Sequence, residues 1–253
     1  MVFFVPAARH NGRVIGAFLN ALGILLGALF GLAGCGQLSA RAQNQVKAAL
    51  GAFTAFCGLQ LVWQNVSGSF SVVLKQLFLA VLAVVLGNLL GKILGLQKIS
   101  NRLGRHASAR LAVAEKNPPG RPLDGFITAT ILFCAAPLGI LGAVTDGLTD
   151  YFFPLAVKAV MDGLAVMSFV KMFRWPVALS ALPVFIFLNA VALGVHTFAL
   201  PWLTAHHSLP AVQVAAGLVI CATALVVMGV RRVELANYLP SLAVAPLLAW
   251  LFL

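Results

Sequence analysis

Acid is what this chain has least of. Six carboxylate side chains stand against 17 lysines and arginines in 253 residues, and charge of either sign occupies only 9% of positions. A soluble domain carries roughly a quarter charged residues, so a water-soluble globular fold is excluded. Cysteine is nearly as sparse. Cys35, Cys57, Cys134 and Cys221 stand far apart, with no CxxC or Cys/His spacing. Each lies in or at the edge of an apolar run, which reads as a small packing residue and argues against a disulfide framework or a zinc site. Nucleotide-binding glycine loops, HExxH and GxSxG are absent too. No cofactor, no direct ATP-driven pumping and no such hydrolytic chemistry is therefore expected.

What the chain has is hydrocarbon. Hydrophobic residues make up 61% of it, and the mean hydropathy is +1.01. A helix needs about 20 apolar residues to cross a bilayer. Runs of that kind lie near 14–36, 48–66, 72–95, 124–145, 152–173, 176–203, 211–230 and 236–253, the last short and interrupted by Pro240 and Pro246. The expected architecture is all-α: a polytopic bundle of about eight transmembrane spans over residues 1–253, with a basic connector at 97–123.

The net charge of +11 would suggest a nucleic-acid partner in a soluble chain. Here it orients helices, and no nucleic acid is expected. Arg41 and Lys47 follow the first span; Lys92, Lys98, Arg102, Arg105, Arg110, Lys116 and Arg121 close or follow the third; Lys171 and Arg174 close the fifth; Arg231 and Arg232 close the seventh. These alternate gaps hold thirteen of the 17 basic residues. The positive-inside rule makes them cytoplasmic and places both termini outside, in a bacterial inner membrane. Arg9 and Arg13 dissent. With the apolar run after them and Leu32-Ala33-Gly34-Cys35, they resemble a lipoprotein signal. Cleavage there would put the seven-charge gap outside, and Asn20 among Gly16, Gly23, Gly27, Gly31 and Gly34 reads as a packed helix. Within the connector, Ile99, Leu103, Ala107, Leu111 and Ala114 share one helical face, which suits a surface-lying helix held by anionic lipid. Asn117-Pro-Pro-Gly120 then ends it.

Phe18-Leu19-Asn20-Ala21 in the first span recurs as Phe187-Leu188-Asn189-Ala190 in the sixth. Spans 1–3 and 6–8 would then form an inverted-topology repeat, as in many secondary transporters, with Asn20 and Asn189 either as paired site residues or as interhelical glue.

The acids are the sharper signal. Three of the six open Asp-Gly pairs: Asp124, Asp146 and Asp162. Asp124, after Pro122, suits a helix N-cap. Asp146 lies 22 residues on, about 33 Å along a straight helix, and beside Asp150 it suits a turn at the outer end. Asp162 falls near the midplane of the fifth span, where a carboxylate needs a partner or a use. Lys158, one turn before it, offers an i,i+4 pair. Pro137 should break the fourth span near Leu132-Phe133-Cys134, with Gly139 and Gly142 beyond. A broken span beside Asp162 is the expected site. His196 and the His206-His207 pair lack the further ligands a metal needs.

Several of these stretches resemble the domain-of-unknown-function 554 family of bacterial inner-membrane proteins. The resemblance rests on Asp124-Gly125-Phe126-Ile127-Thr128-Ala129-Thr130, Leu132-Phe133-Cys134, Gly139-Ile140-Leu141-Gly142 and Asp146-Gly147-Leu148. Lys158-Ala159-Val160-Met161-Asp162-Gly163 follows; Gly16 to Ala21 and Gly27 match at the start, and Ala236-Asn237-Tyr238-Leu239-Pro240 at the end. Ala136, Pro137 and Leu138 depart from the pattern. The resemblance implies a membrane fold and assigns no activity.

Three functions stay open. A secondary transporter or channel for a small solute or cation would use Asp162, Asp146, Asp124, Asn20, Asn189, Phe133, Cys134 and Lys158. A structural or assembly protein would use them only to hold helices, alone or as a homo-oligomer. An intramembrane enzyme would need two carboxylates sharing a proton; no GxGD is present, and the protein is expected not to be an enzyme.

Overall fold

A computed structural model describes residues 15–34, 39–116, 122–231 and 233–252. Arg9, Arg13, Cys35, the Asn117–Gly120 break, Arg121 and Arg232 lie outside them. The described residues form eleven α-helices and no strand: α1 (Ile15–Leu32), α2 (Ala40–Asn65), α3 (Phe70–Ile93), α4 (Leu96–Lys116), α5 (Pro122–Cys134), α6 (Pro137–Thr149), α7 (Phe153–Phe173), α8 (Ala181–Gly194), α9 (Leu200–Ala205), α10 (Leu209–Val227) and α11 (Ser241–Phe252). Turns of 3-10 helix precede α8 (Trp175–Ser180) and α11 (Leu235–Tyr238), and a π-helical turn (Val195–Ala199) joins α8 to α9.

Among the described residues, seven helical stretches are long and apolar enough to cross a membrane, and the bent pair α5–α6 makes an eighth if it counts as one span. Its bend of 58° falls at Pro137. That residue has no N–H for the carbonyl of Phe133, and it starts α6 at a first-turn position where none is needed. Neighbouring residues show its course. Gly125 meets Phe173 at the end of α7, the Phe133 ring stacks on Phe169, Gly139 meets Lys158, and Gly142 meets Leu155 near the start of α7. The pair therefore runs antiparallel to α7 along almost its whole length. Its two halves thus continue in one direction past α7 and do not turn back.

Glycine sets the other helix directions. Gly23, Gly27 and Gly31 of α1 face Ala159, Gly163 and Met167 of α7 in the same order, so these helices are parallel. Gly51 meets Met228 while Gly58 meets Gly217, so α2 and α10 are antiparallel; Gly87 meets Ser241 and Gly91 meets Asn237, so α3 and α11 are as well. In each case a Cβ would collide with the facing helix, and small residues let the backbones approach. These directions gather the ends carrying Arg41, Lys47, Lys92, Lys171, Arg174 and Arg231 on one side of the bundle. Lys75 lies at the opposite end, donating to the Phe252 carbonyl at 2.6 Å.

Two packed bodies result. In the first, Ala17, Ile24, Phe133, Leu155, Val166, Phe173 and Leu188 bring α1, α5, α7 and α8 together. In the second, Cys57, Leu61, Val219 and Ile220 join α2 to α10, and Ala83, Ala215 and Ala245 add α3 and α11. Leu141 of α6 and Tyr151 of the following turn lodge in the second body. The Tyr151 hydroxyl donates to the Cys57 carbonyl at 2.6 Å. The connector is the helix α4. Ala107 is buried in it and Leu111 packs on the first body, whereas Ile99, Leu103 and Val113 are exposed. Its start is clasped to the last span: the Gln97 amide donates to Asn237 Oδ1, and Ala236 N donates to Gln97 Oε1, each at 3.1 Å.

Candidate functional site

Asp162 is the tenth residue of α7, about 14 Å from its start at 1.5 Å per residue. Its register places it level with the break in the fourth span, and it is 7% exposed. The i,i+4 spacing brings Lys158 onto the same face, where Nζ pairs with Asp162 Oδ2. Asn20 of α1 is fully buried and donates its Nδ2 to that same oxygen at 3.0 Å. The carboxylate takes an N–H of the amide, and Asn20 Oδ1 has no hydrogen-bond partner.

The fourth span supplies the rest. Lys158 Nζ lies 5.6 Å from the centroid of the Phe133 ring, within cation–π range. Cys134, the last residue of α5, is within electrostatic reach of both Lys158 and Asp162. Beyond the break, Gly139 makes room for the lysine stem: a Cβ there would stand 2.8 Å from Lys158 Cε. Four of the sequence-derived candidates, Asn20, Phe133, Lys158 and Asp162, thus converge on one buried cluster from three spans, with Cys134 at its edge. A buried charge pair loses solvation on both sides, so its geometry and extra hydrogen bonds decide whether it holds. Here an amide and an aromatic face supply them.

Two expectations are corrected. Asp146 does lie near the far end of the fourth span, in the last turn of α6, but it is a buried group that joins two helices and not a turn residue. It is 2% exposed on α6, and its Oδ2 accepts the Gly16 N–H of α1 at 3.0 Å. That amide belongs to the first turn of α1, where helix donors lack partners of their own. Gly16 and Asn20 are one turn apart, so the two carboxylates attach to positions about 6 Å apart along α1. Asp150, four residues on, takes the left-handed conformation (φ 56°) that closes α6. Asp124 does not cap α5 either. It sits inside the first turn and pairs with Arg110 of α4 at 2.8 Å, both side chains about a third exposed.

Asn189 stays apart: it is half-buried on α8 and shares no hydrogen bond with the cluster. His196 Nδ1 lies 3.2 Å from the Gly147 carbonyl, next to Asp146. Among the described residues no three His, Cys, Asp or Glu side chains assemble as a metal site would need. Sequence reasoning missed the amide of Gly16 and the seat at Gly139. Both glycines were visible as break or packing residues, but only tertiary structure shows which side chain each admits. Buried hydroxyls at Thr128, Thr130 and Ser180, without partners, were missed as well.

The model of a family described as "Protein of unknown function (DUF554)" matches residues 15–250. Among curated proteins, the chain is 29% identical over 233 residues to "Uncharacterized protein YqgA" of Escherichia coli (strain K12), covering 92% of this chain and 94% of that one. It is 24% identical over 236 residues to "Uncharacterized membrane protein YdfK" of Bacillus subtilis (strain 168), again covering 92% and 94%. No solved structure matches.

Proposed function

We propose that this chain, which belongs to the DUF554 family of proteins of unknown function, is a secondary transporter or channel for a small solute or cation and not an enzyme. One observation carries the reading. A carboxylate at membrane depth, Asp162, is held between a lysine of its own helix and an amide of α1, beside a broken span. Ionisable groups inside membranes are costly and mark pathways for ions and substrates. Broken helices place free backbone ends at such sites in many transporters. The packing supports it: the charged cluster lies wholly within one helical body, so movement of that body against the other would carry the site with it. In this reading the basic ends are cytoplasmic in a bacterial inner membrane, both termini face outward, and α4 rests on anionic lipid.

A second reading is favoured by the completeness of the pairing. With Lys158 and Asn20 both on Asp162 Oδ2, the cluster would serve only to fix α1 against α7 in a structural or assembly protein. Purified protein in liposomes separates the two, screened for flux of protons, alkali cations and small organic solutes. A solute should move with the wild-type protein, and Asp162→Asn should slow it by about tenfold or more. If nothing moves, and Asp162→Asn leaves the cellular phenotype intact, transport is refuted.

A further inference from the structure

We infer that the Asp162 site is built for an ammonium head group, and that the cargo is a small primary ammonium compound which takes the place now filled by Lys158 Nζ; this rests on the transport reading above. Four features of the cluster support it. Asp162 Oδ2 supplies the counter-charge. The Phe133 ring presents a π-face at 5.6 Å, an arrangement that favours ammonium. The first half of the fourth span, α5, stops at Cys134, and Pro137 withholds the N–H that would occupy the Phe133 carbonyl, so the negative end of α5 follows directly on the ring that faces the charge. Asn20 Oδ1, wholly buried, accepts nothing. A small primary ammonium carries the same three N–H donors as Lys158 but is not tied to α7, so it is free to turn one toward that oxygen.

The same set is poor for other cations. A bare hard metal ion needs several oxygen ligands, whereas part of this shell is an aromatic face. A quaternary ammonium has no N–H for the carboxylate or the amide oxygen. Lys158 therefore acts as a resident stand-in: cargo enters as Nζ leaves Asp162, and Nζ returns as cargo leaves, so the buried carboxylate never lacks a cation.

Full-length Lys158→Ala and Lys158→Met proteins in detergent test this by thermal unfolding with added amines. In Lys158→Ala the missing side chain leaves room for n-propylammonium. In Lys158→Met the stem is kept, and only ammonium or methylammonium should fit. Each fitting amine should raise the melting temperature by about 4 °C at saturation, while sodium and tetramethylammonium at equal concentration should not. Wild-type liposomes should take up ethanolammonium, and Asp162→Asn liposomes should not. Stabilisation by sodium or tetramethylammonium equal to that by the amines, or none by any amine, overturns the ammonium assignment; Asp162-dependent flux of another solute would leave the transport reading standing. Selective stabilisation without flux of any solute overturns transport and leaves an ammonium-binding site. Should Lys158→Ala not fold, Lys158→Met with methylammonium decides.

Discussion

The α1–α7 pair and the α2–α10 pair are both built on glycine, yet only the first encloses buried charge. Along α1, Gly23 and Gly27 press against the backbone of Ala159 and Gly163. Between α2 and α10, a Cβ added at Gly58 would lie 2.7 Å from the Gly217 carbonyl, and one at Gly217 would lie 2.7 Å from the Gly58 carbonyl. The second pair then fills its surroundings with Cys57, Leu61, Val219 and Ile220, an apolar core. The first places Asn20, Lys158 and Asp162 on the side facing the broken span. Close backbone packing is thus enough to join helices here. The charges in α1–α7 are surplus to that purpose, which is why they are read as functional.

The largest effect that would sharpen this contrast is expected at Lys158. Lys158→Ala leaves Asp162 buried without its cation and should cost about 3–5 kcal/mol, measured by denaturant unfolding in detergent. Nothing in the α2–α10 interface should approach that through charge. Next come the glycines themselves. Gly27→Val and Gly217→Val should each cost about 1–3 kcal/mol by overpacking. Only the first should also lower flux at temperatures where both variants stay folded; equal loss of flux would break the contrast. The two asparagines follow. Asn20→Ala should cost about 1–2 kcal/mol, since it strips a charge-assisted hydrogen bond from a buried carboxylate, while Asn189→Ala should stay within about 0.5 kcal/mol. A similar loss at Asn189 would restore the two residues to equivalence. Last comes Arg110→Ala at the partly exposed Asp124 pair, expected below about 1 kcal/mol and smaller still in high salt.

The sequence was most informative where periodicity and length decide. Seven to eight apolar spans and the break at Pro137 follow from hydrocarbon runs and one residue's missing N–H, and the i,i+4 spacing places Lys158 on Asp162. The convergence of Asn20 was less legible. It depends on α1 and α7 being parallel and in register, which Gly23, Gly27 and Gly163 enforce without any sign in the sequence of which helix they face. Asp146 lies near the end of the fourth span, as the residue count implied, but its bond to the Gly16 amide depends on where α1 packs, which no local pattern shows. The matching Asn20 and Asn189 tetrapeptides suggested equivalent surroundings, but a four-residue identity on apolar helices does not fix burial. One asparagine is enclosed and the other half-buried.

The direct measurement is solute flux through the double variant Lys158→Met/Asp162→Leu. Replacing a buried ion pair by apolar residues of similar volume is often neutral for stability, so this protein should fold and insert while losing both charges. A folded double variant that moves no solute, in liposomes where the wild type does, is the predicted result. Flux equal to wild type would contradict the account and leave the cluster as helix glue.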